Sequence, residues 1–138
     1  FQSKRRKSHN LSRVWDNYKW WSIMFQKGEI YLAKLNPKKG NEVGKIRPVL
    51  IYQTNFLNEC EHPTTIILPI STVLIDDTYP LRYRIIKRDN LEKTSDVLCD
   101  QIRALDNQRI LEGLLTKLTY KEILEIDKQV KLVLDIEV

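Results

Sequence analysis

The chain has 138 residues, of which 42% are hydrophobic, and a formal net charge of +5. That length favours one domain with a modest core over two independent ones. Its two cysteines, Cys60 and Cys99, lack metal-ligand spacing, and no apolar run has the length of a signal peptide or membrane span, so a reduced, cytoplasmic protein with no membrane partner is expected.

The positive charge is concentrated at the start. Residues 1–27 carry seven Lys or Arg, including Lys4-Arg5-Arg6-Lys7, against Asp16, a balance of +6, which leaves the rest at −1. Bulk charge therefore gives no argument for a polyanion bound by the body of the chain; binding there requires clustered cations. Lys4 to Lys7 read as a solvated terminus, and the opening at Phe1 rather than Met leaves room for an upstream portion. From Leu11 the apolar residues Leu11, Val14, Trp15, Tyr18, Trp21 and Phe25 form a helical stripe that Gly28 closes in C-cap position. So aromatic a face is expected to pack on the domain that follows. The chain divides into a basic and aromatic helical extension, residues 1–26, and a principal domain, residues 27–138.

Glu29 to Leu35 alternates as a strand, with Ile30 and Leu32 on one face and Tyr31 and Ala33 on the other, and Asn36-Pro37 ends it. A loop with Lys38, Lys39, Gly40 and Gly44 leads to a second strand, Pro48 to Gln53, opened by proline where a missing donor matters least. Thr54 to Pro63 reads as a polar loop, Thr64 to Ile70 as a buried strand, and Ser71 to Asp77 as a loop. In Leu81 to Ile85, alternation turns Leu81, Tyr83 and Ile85 inward and Arg82 and Arg84 outward. Val97 to Leu105 is a strand pair or one bent strand, and Arg109 to Leu118 is ambiguous, with room for a short strand after a turn. Thr119 to Glu122 has the form of a capping box before Ile123, Ile126, Val130, Val133 and Leu134 at helical spacing. Five to seven short strands between two helices, without βαβ alternation, predict a mainly β (α+β) fold built on a strongly curved antiparallel barrel.

Gly28-Glu29-Ile30-Tyr31, then Asn36-Pro37 with Gly40-Asn41-Glu42-Val43-Gly44, then Arg47-Pro48-Val49-Leu50, resemble the opening of the MazF/PemK family of bacterial toxins. Asp100-Gln101-Ile102-Arg103 with Asp106 extends the resemblance, which runs from about Lys27 to the C-terminus. It implies an SH3-like barrel of the MazF/CcdB toxin type. It also implies a sequence-selective endoribonuclease that cuts single-stranded messenger RNA without metal or other cofactor, is commonly a homodimer, and is silenced by a cognate antitoxin protein. The resemblance places a catalytic arginine at Arg47 and an acidic partner at Glu42. It places a phosphate-binding hydroxyl in Pro69-Ile70-Ser71-Thr72: direct alignment gives Ser71, a shift of one residue Thr72.

Cutting RNA without a metal requires the ribose 2′-hydroxyl to lose a proton, the pentavalent phosphate to be neutralised and the leaving 5′-oxygen to be protonated. With only His9, in the extension, and His62, before Pro63, a two-histidine mechanism is not expected. Arg47 offers a planar fork of donors, but a guanidinium with a pKa above about 12 is a poor base, so it is read as an electrostatic stabiliser and proton donor. Glu42 would orient Arg47 or accept the 2′-hydroxyl proton. Lys38, Lys39, Arg82, Arg84 and Arg88 are candidates to line an RNA groove, with Tyr79 or Tyr83 as stacking platforms and Gln101 as a nucleobase contact. Arg103, Asp106 and Arg109 read as structural. Asp76-Asp77 and Asp96 with Asp100 lack histidine companions and read as solvated loops rather than a metal site. Two other functions stay open: a non-catalytic poison of DNA gyrase on the same barrel, and a degenerate member that only binds RNA or an antitoxin.

Overall fold

The computed structural model describes residues 25–35 and 45–137. The expected helix from Leu11 to Phe25, apart from Phe25 itself, lies outside the described residues, as do Lys38, Lys39 and Glu42. Seven strands and two α-helices are described: β1 Glu29–Lys34, β2 Ile46–Ile51, α1 Asn55–Glu59, β3 Thr64–Ser71, β4 Arg82–Ile85, β5 Ser95–Leu98, β6 Arg103–Asp106, β7 Thr116–Lys117 and α2 Tyr120–Leu134. A turn of 3-10 helix, Asn107–Arg109, follows β6.

All pairings are antiparallel, in the order β4-β5-β3-β2-β1-β7 with β6 also on β3. β3 is the hub of this curled sheet. Its first half pairs β6 through Thr64–Ile67, its middle pairs β2 through Ile67–Pro69, and its end pairs β5 through Ile70 and Ser71. Gly28 enters β1 at φ +99°, a conformation that suits glycine, and its N–H donates to the Ile51 carbonyl at 2.9 Å.

The alternation in β1, β2 and β3 fills two cores, one on each face of the sheet. Ile30, Leu50, Leu68, Ile70, Ile85 and Val97 pack under α2 with Ile126 and Val130, while Phe25, Tyr31, Ala33, Val49, Ile51, Ile67 and Leu105 fill the other face. α2 carries the expected capping box: Thr119 Oγ1 accepts from Glu122 N–H at 3.2 Å, and Glu122 Oε1 accepts from Thr119 N–H at 2.8 Å. The helix ends at Leu134, before Asp135 in left-handed conformation, and Leu134 itself is exposed.

The strand readings were correct in type at β1, β2, β3 and β4, the ambiguous stretch from Arg109 to Leu118 holds the two-residue β7, and three details differ. The Thr54–Pro63 loop contains α1, too short for an apolar period; Thr54 caps it, and buried Asn58 ties it to Gln53 at 3.0 Å. Val97 to Leu105 divides into β5 and β6, which both bond to β3 rather than to one another. Leu81 is exposed, because β4 begins only at Arg82 and Leu81 spends its carbonyl on Cys99 N–H at 2.8 Å.

Candidate active site

The β2–β3 ladder ends at Val49↔Pro69. Beyond it Pro48 has no N–H to donate, and β3 turns to β5 instead. Two residues past that last pair stand Arg47 on β2 and Ser71 on β3. Alternation puts Arg47 on the face of Val49 and Ser71 on the face of Ile67, which is the same face of the sheet. Ser71 is the register partner of Asp96 on β5, and Asp96 that of Arg84 on β4. One row thus runs Ser71, Asp96, Arg84 across β3, β5 and β4, and Arg47 stands on the same face just past the last β2–β3 pair.

Arg47 is exposed, opposite the small Ala33 of β1, and has no ion-pair or hydrogen-bond partner among the described residues. Among the described residues nothing occupies its donor fork, which suits an anion. Ser71 Oγ accepts from Val73 N–H at 3.1 Å and gives only a long bond to the Val73 carbonyl, 3.4 Å, so its proton is easily redirected. Thr72 lies differently. It lines a cleft of about 270 Å³ with Leu32, Pro48, Leu91 and Leu115, on the α2 side of the sheet, away from Arg47's face. Parity therefore joins Ser71 rather than Thr72 to Arg47.

Asp96 is the residue that sequence reasoning missed. It is not a solvated acid but is 1% exposed, and it accepts from Arg82 Nη1 at 3.1 Å, Arg84 Nε at 2.9 Å, Arg84 Nη2 at 3.3 Å and Ile75 N–H at 3.1 Å. Burial pushes its carboxyl up, but the bonds from Arg84, Ile75 and Arg82 outweigh burial and hold it below the usual carboxylate range. Asp76 adds a 2.6 Å bond to Arg84 Nη1. The available signal was Arg82-x-Arg84 on one strand face facing an acid at the head of the next strand.

The other expected RNA contacts divide by their partners. Arg82 and Arg84 are held by Asp96 and Asp76. Arg88 makes a two-pronged pair with Glu122 at 2.9 and 2.8 Å, locking the β4–β5 turn to the start of α2. All three guanidiniums are thus ion-paired with the protein's own carboxylates. Gln101 and Tyr79 are exposed; Tyr83 packs against the core under α2. Arg103 and Arg109 both donate to the Leu35 carbonyl at 3.1 Å, gripping the point where the chain leaves β1, and Asp106 caps the 3-10 turn through Gln108 N–H. Among the described residues no group of three or more His, Cys, Asp or Glu is placed to hold a metal ion. No helix among them is long and apolar enough to cross a membrane.

The described residues thus form a curled antiparallel sheet closed by one C-terminal helix. Solved structures share that fold. The MazE–MazF complex (Form-II) from Deinococcus radiodurans has a TM-score of 0.68 at 18% identity, covering 83% of this chain and 98% of that one. An endoribonuclease in complex with its cognate antitoxin from Mycobacterial species has a TM-score of 0.64 at 18% identity, covering 83% and 97%. By sequence, Endoribonuclease MazF of Staphylococcus epidermidis is 37% identical over 105 residues, 75% of this chain and 86% of that protein. Residues 26–134 match the family of PemK-like, MazF-like toxins of type II toxin-antitoxin systems, and the chain belongs to that family.

Proposed function

We propose that this chain is the toxin of a type II toxin-antitoxin pair and cuts single-stranded messenger RNA at a short sequence, leaving a 2′,3′-cyclic phosphate and a 5′-hydroxyl. The observation that carries this reading is the placement of Arg47, free of partners among the described residues, and the Ser71 hydroxyl on the same face of the sheet, where β2 and β3 part. The similarity to endoribonucleases supports it.

In the reaction the ribose 2′-oxygen attacks the adjacent phosphorus and the bond to the leaving 5′-oxygen breaks. Arg47 places N–H donors on the non-bridging oxygens as charge builds there, and Ser71 Oγ adds a third donor. The 2′-hydroxyl proton passes to Glu42, and the leaving oxygen is protonated from the Arg47 side. Glu42 has this role from the resemblance, since it lies outside the described residues. Contact with the rest of the RNA falls to Lys38, Lys39, Gln101 and Tyr79, because Arg82, Arg84 and Arg88 are spent on carboxylates. Thr72 serves the cleft beside the row. No metal or cofactor enters the mechanism. The partners are a cognate antitoxin and a second copy of the chain, in the cytoplasm.

The test is incubation of the protein with a long unstructured RNA in EDTA, beside Arg47→Ala. Cuts at a defined sequence that fall at least about 100-fold in the variant are expected from the loss of a transition-state donor. No cleavage by the parent contradicts the reading and turns attention to gyrase.

A further inference from the structure

We propose that Asp96 is a positioning residue for the Ser71 hydroxyl, acting through Arg82 and the backbone N–H and carbonyl of Val73. The inference rests on the ribonuclease reading above and names a residue outside the groups assigned to it.

The connection is a run of four hydrogen-bonded groups. Asp96 Oδ2 accepts from Arg82 Nη1 at 3.1 Å, and the same nitrogen donates to the Val73 carbonyl at 2.9 Å. The Val73 N–H donates to Ser71 Oγ at 3.1 Å. Asp96 also accepts from Ile75 N–H, so one carboxylate holds the loop after Ser71 at two points, 73 and 75. The loop has little else to hold it. Val73, Leu74 and Ile75 are 67%, 44% and 47% exposed, so packing does not fix their backbone.

The orientation of the Ser71 hydroxyl therefore depends on a buried charge on the neighbouring strand rather than on the loop's own packing. Asp96 is itself fixed. It faces Ser71 in the β3–β5 register and Arg84 in the β4–β5 register, and two arginines close over it. Arg82 carries the connection, which gives it a use that needs no contact with RNA. A direct RNA contact would raise KM on removal, whereas loss of positioning lowers kcat with KM little changed.

The experiment compares Asp96→Asn, Arg82→Met, Ser71→Ala and the double variant Ser71→Ala/Asp96→Asn on a short RNA substrate, at a temperature where circular dichroism shows every variant folded. Asp96→Asn and Arg82→Met are expected to lose about 10- to 100-fold in kcat with KM within about threefold of the parent, the size of effect that small misplacement produces. The double variant is expected to be no slower than Ser71→Ala alone, because Asp96 acts only through that hydroxyl. An Asp96→Asn penalty that persists in full without the Ser71 hydroxyl overturns the proposal, as does a loss expressed in KM.

Amide hydrogen exchange provides a readout independent of activity. Asp96→Asn should speed exchange at Val73 and Ile75 by about tenfold or more while the β1–β2 ladder keeps its protection. Unchanged exchange at both amides refutes the inference. If the parent cuts no RNA, the ribonuclease reading fails by itself, and the hold of Asp96 on the Ser71 loop is decided by exchange.

Discussion

Glu122 ties the start of α2 to the β4–β5 turn, and its removal has a calculable cost. It accepts the Thr119 N–H at the start of α2 and both terminal nitrogens of Arg88. Loss of the reciprocal cap costs about 1 kcal/mol. The pair with Arg88 is two charge-assisted bonds, but the two side chains keep 18% and 29% of their exposure, so solvent screening limits its loss to about 1–2 kcal/mol. Glu122→Ala should therefore lower the unfolding free energy by roughly 2–3 kcal/mol, read from urea transitions as a lower midpoint at unchanged slope. Thr119→Ala, which spares the Arg88 pair, should cost about 1 kcal/mol. Arg88→Met should lose stability while leaving the salt dependence of RNA binding as in the parent, since a neutralised cation releases no counterion on binding. A Glu122→Ala loss below about 0.5 kcal/mol, or a flatter salt dependence in Arg88→Met, would refute the assignment of Arg88 to α2.

Two further outcomes follow from burial. Asp96 and Glu122 are both held below the usual carboxylate range by hydrogen bonds that outweigh burial. Groups of that kind stabilise the fold above their unfolded pKa and lose that contribution as pH falls through the folded one. Unfolding free energy should thus hold from neutrality to about pH 5 and drop below about pH 4, with a shallower drop in Asp96→Asn; an increase on acidification would contradict the network. Burial, then the charge of Asp100, pushes the Cys99 thiol up to about 12, whereas Cys60 is only half-buried. A chromogenic disulfide reagent at neutral pH should titrate one thiol in the folded protein and both in urea, and rapid reaction of both without denaturant would disprove the burial of Cys99.

The sequence revealed most where a local rule acts alone. Alternation set the faces of β1 and the capping box set the start of α2, whereas β2 opens at Ile46, two residues before the proline expected to open it. The helix α1 was not legible, because five residues give no period and its stability comes from Thr54 and Asn58 rather than an apolar face. At the site, Arg47 and Ser71 were visible as residues, but their juxtaposition was not, since it depends on β3 changing partner from β2 to β5. The sharpest difference lies at Arg82 and Arg84. Outward alternation was read correctly, with Arg84 exposed and Arg82 half-buried, but the buried Asp96 that both meet on the neighbouring strand was not visible. A charge pattern gives the sign of a face and not its partner. The choice between Ser71 and Thr72 was likewise closed to sequence and is addressed by the cleft that takes Thr72 with Pro48 and Leu32.

The proposed reaction is a metal-free attack by the 2′-oxygen beside Arg47. It is tested most directly with two short RNAs that differ in a single 2′-deoxy substitution at the nucleotide on the 5′ side of the cut, incubated with the protein in EDTA and resolved by mass. The all-ribose strand should yield a 2′,3′-cyclic phosphate and a 5′-hydroxyl, and the substituted strand should remain whole. Cleavage of the substituted strand, or a 5′-phosphate on the product of either, would show that water rather than the ribose is the nucleophile and would contradict the mechanism.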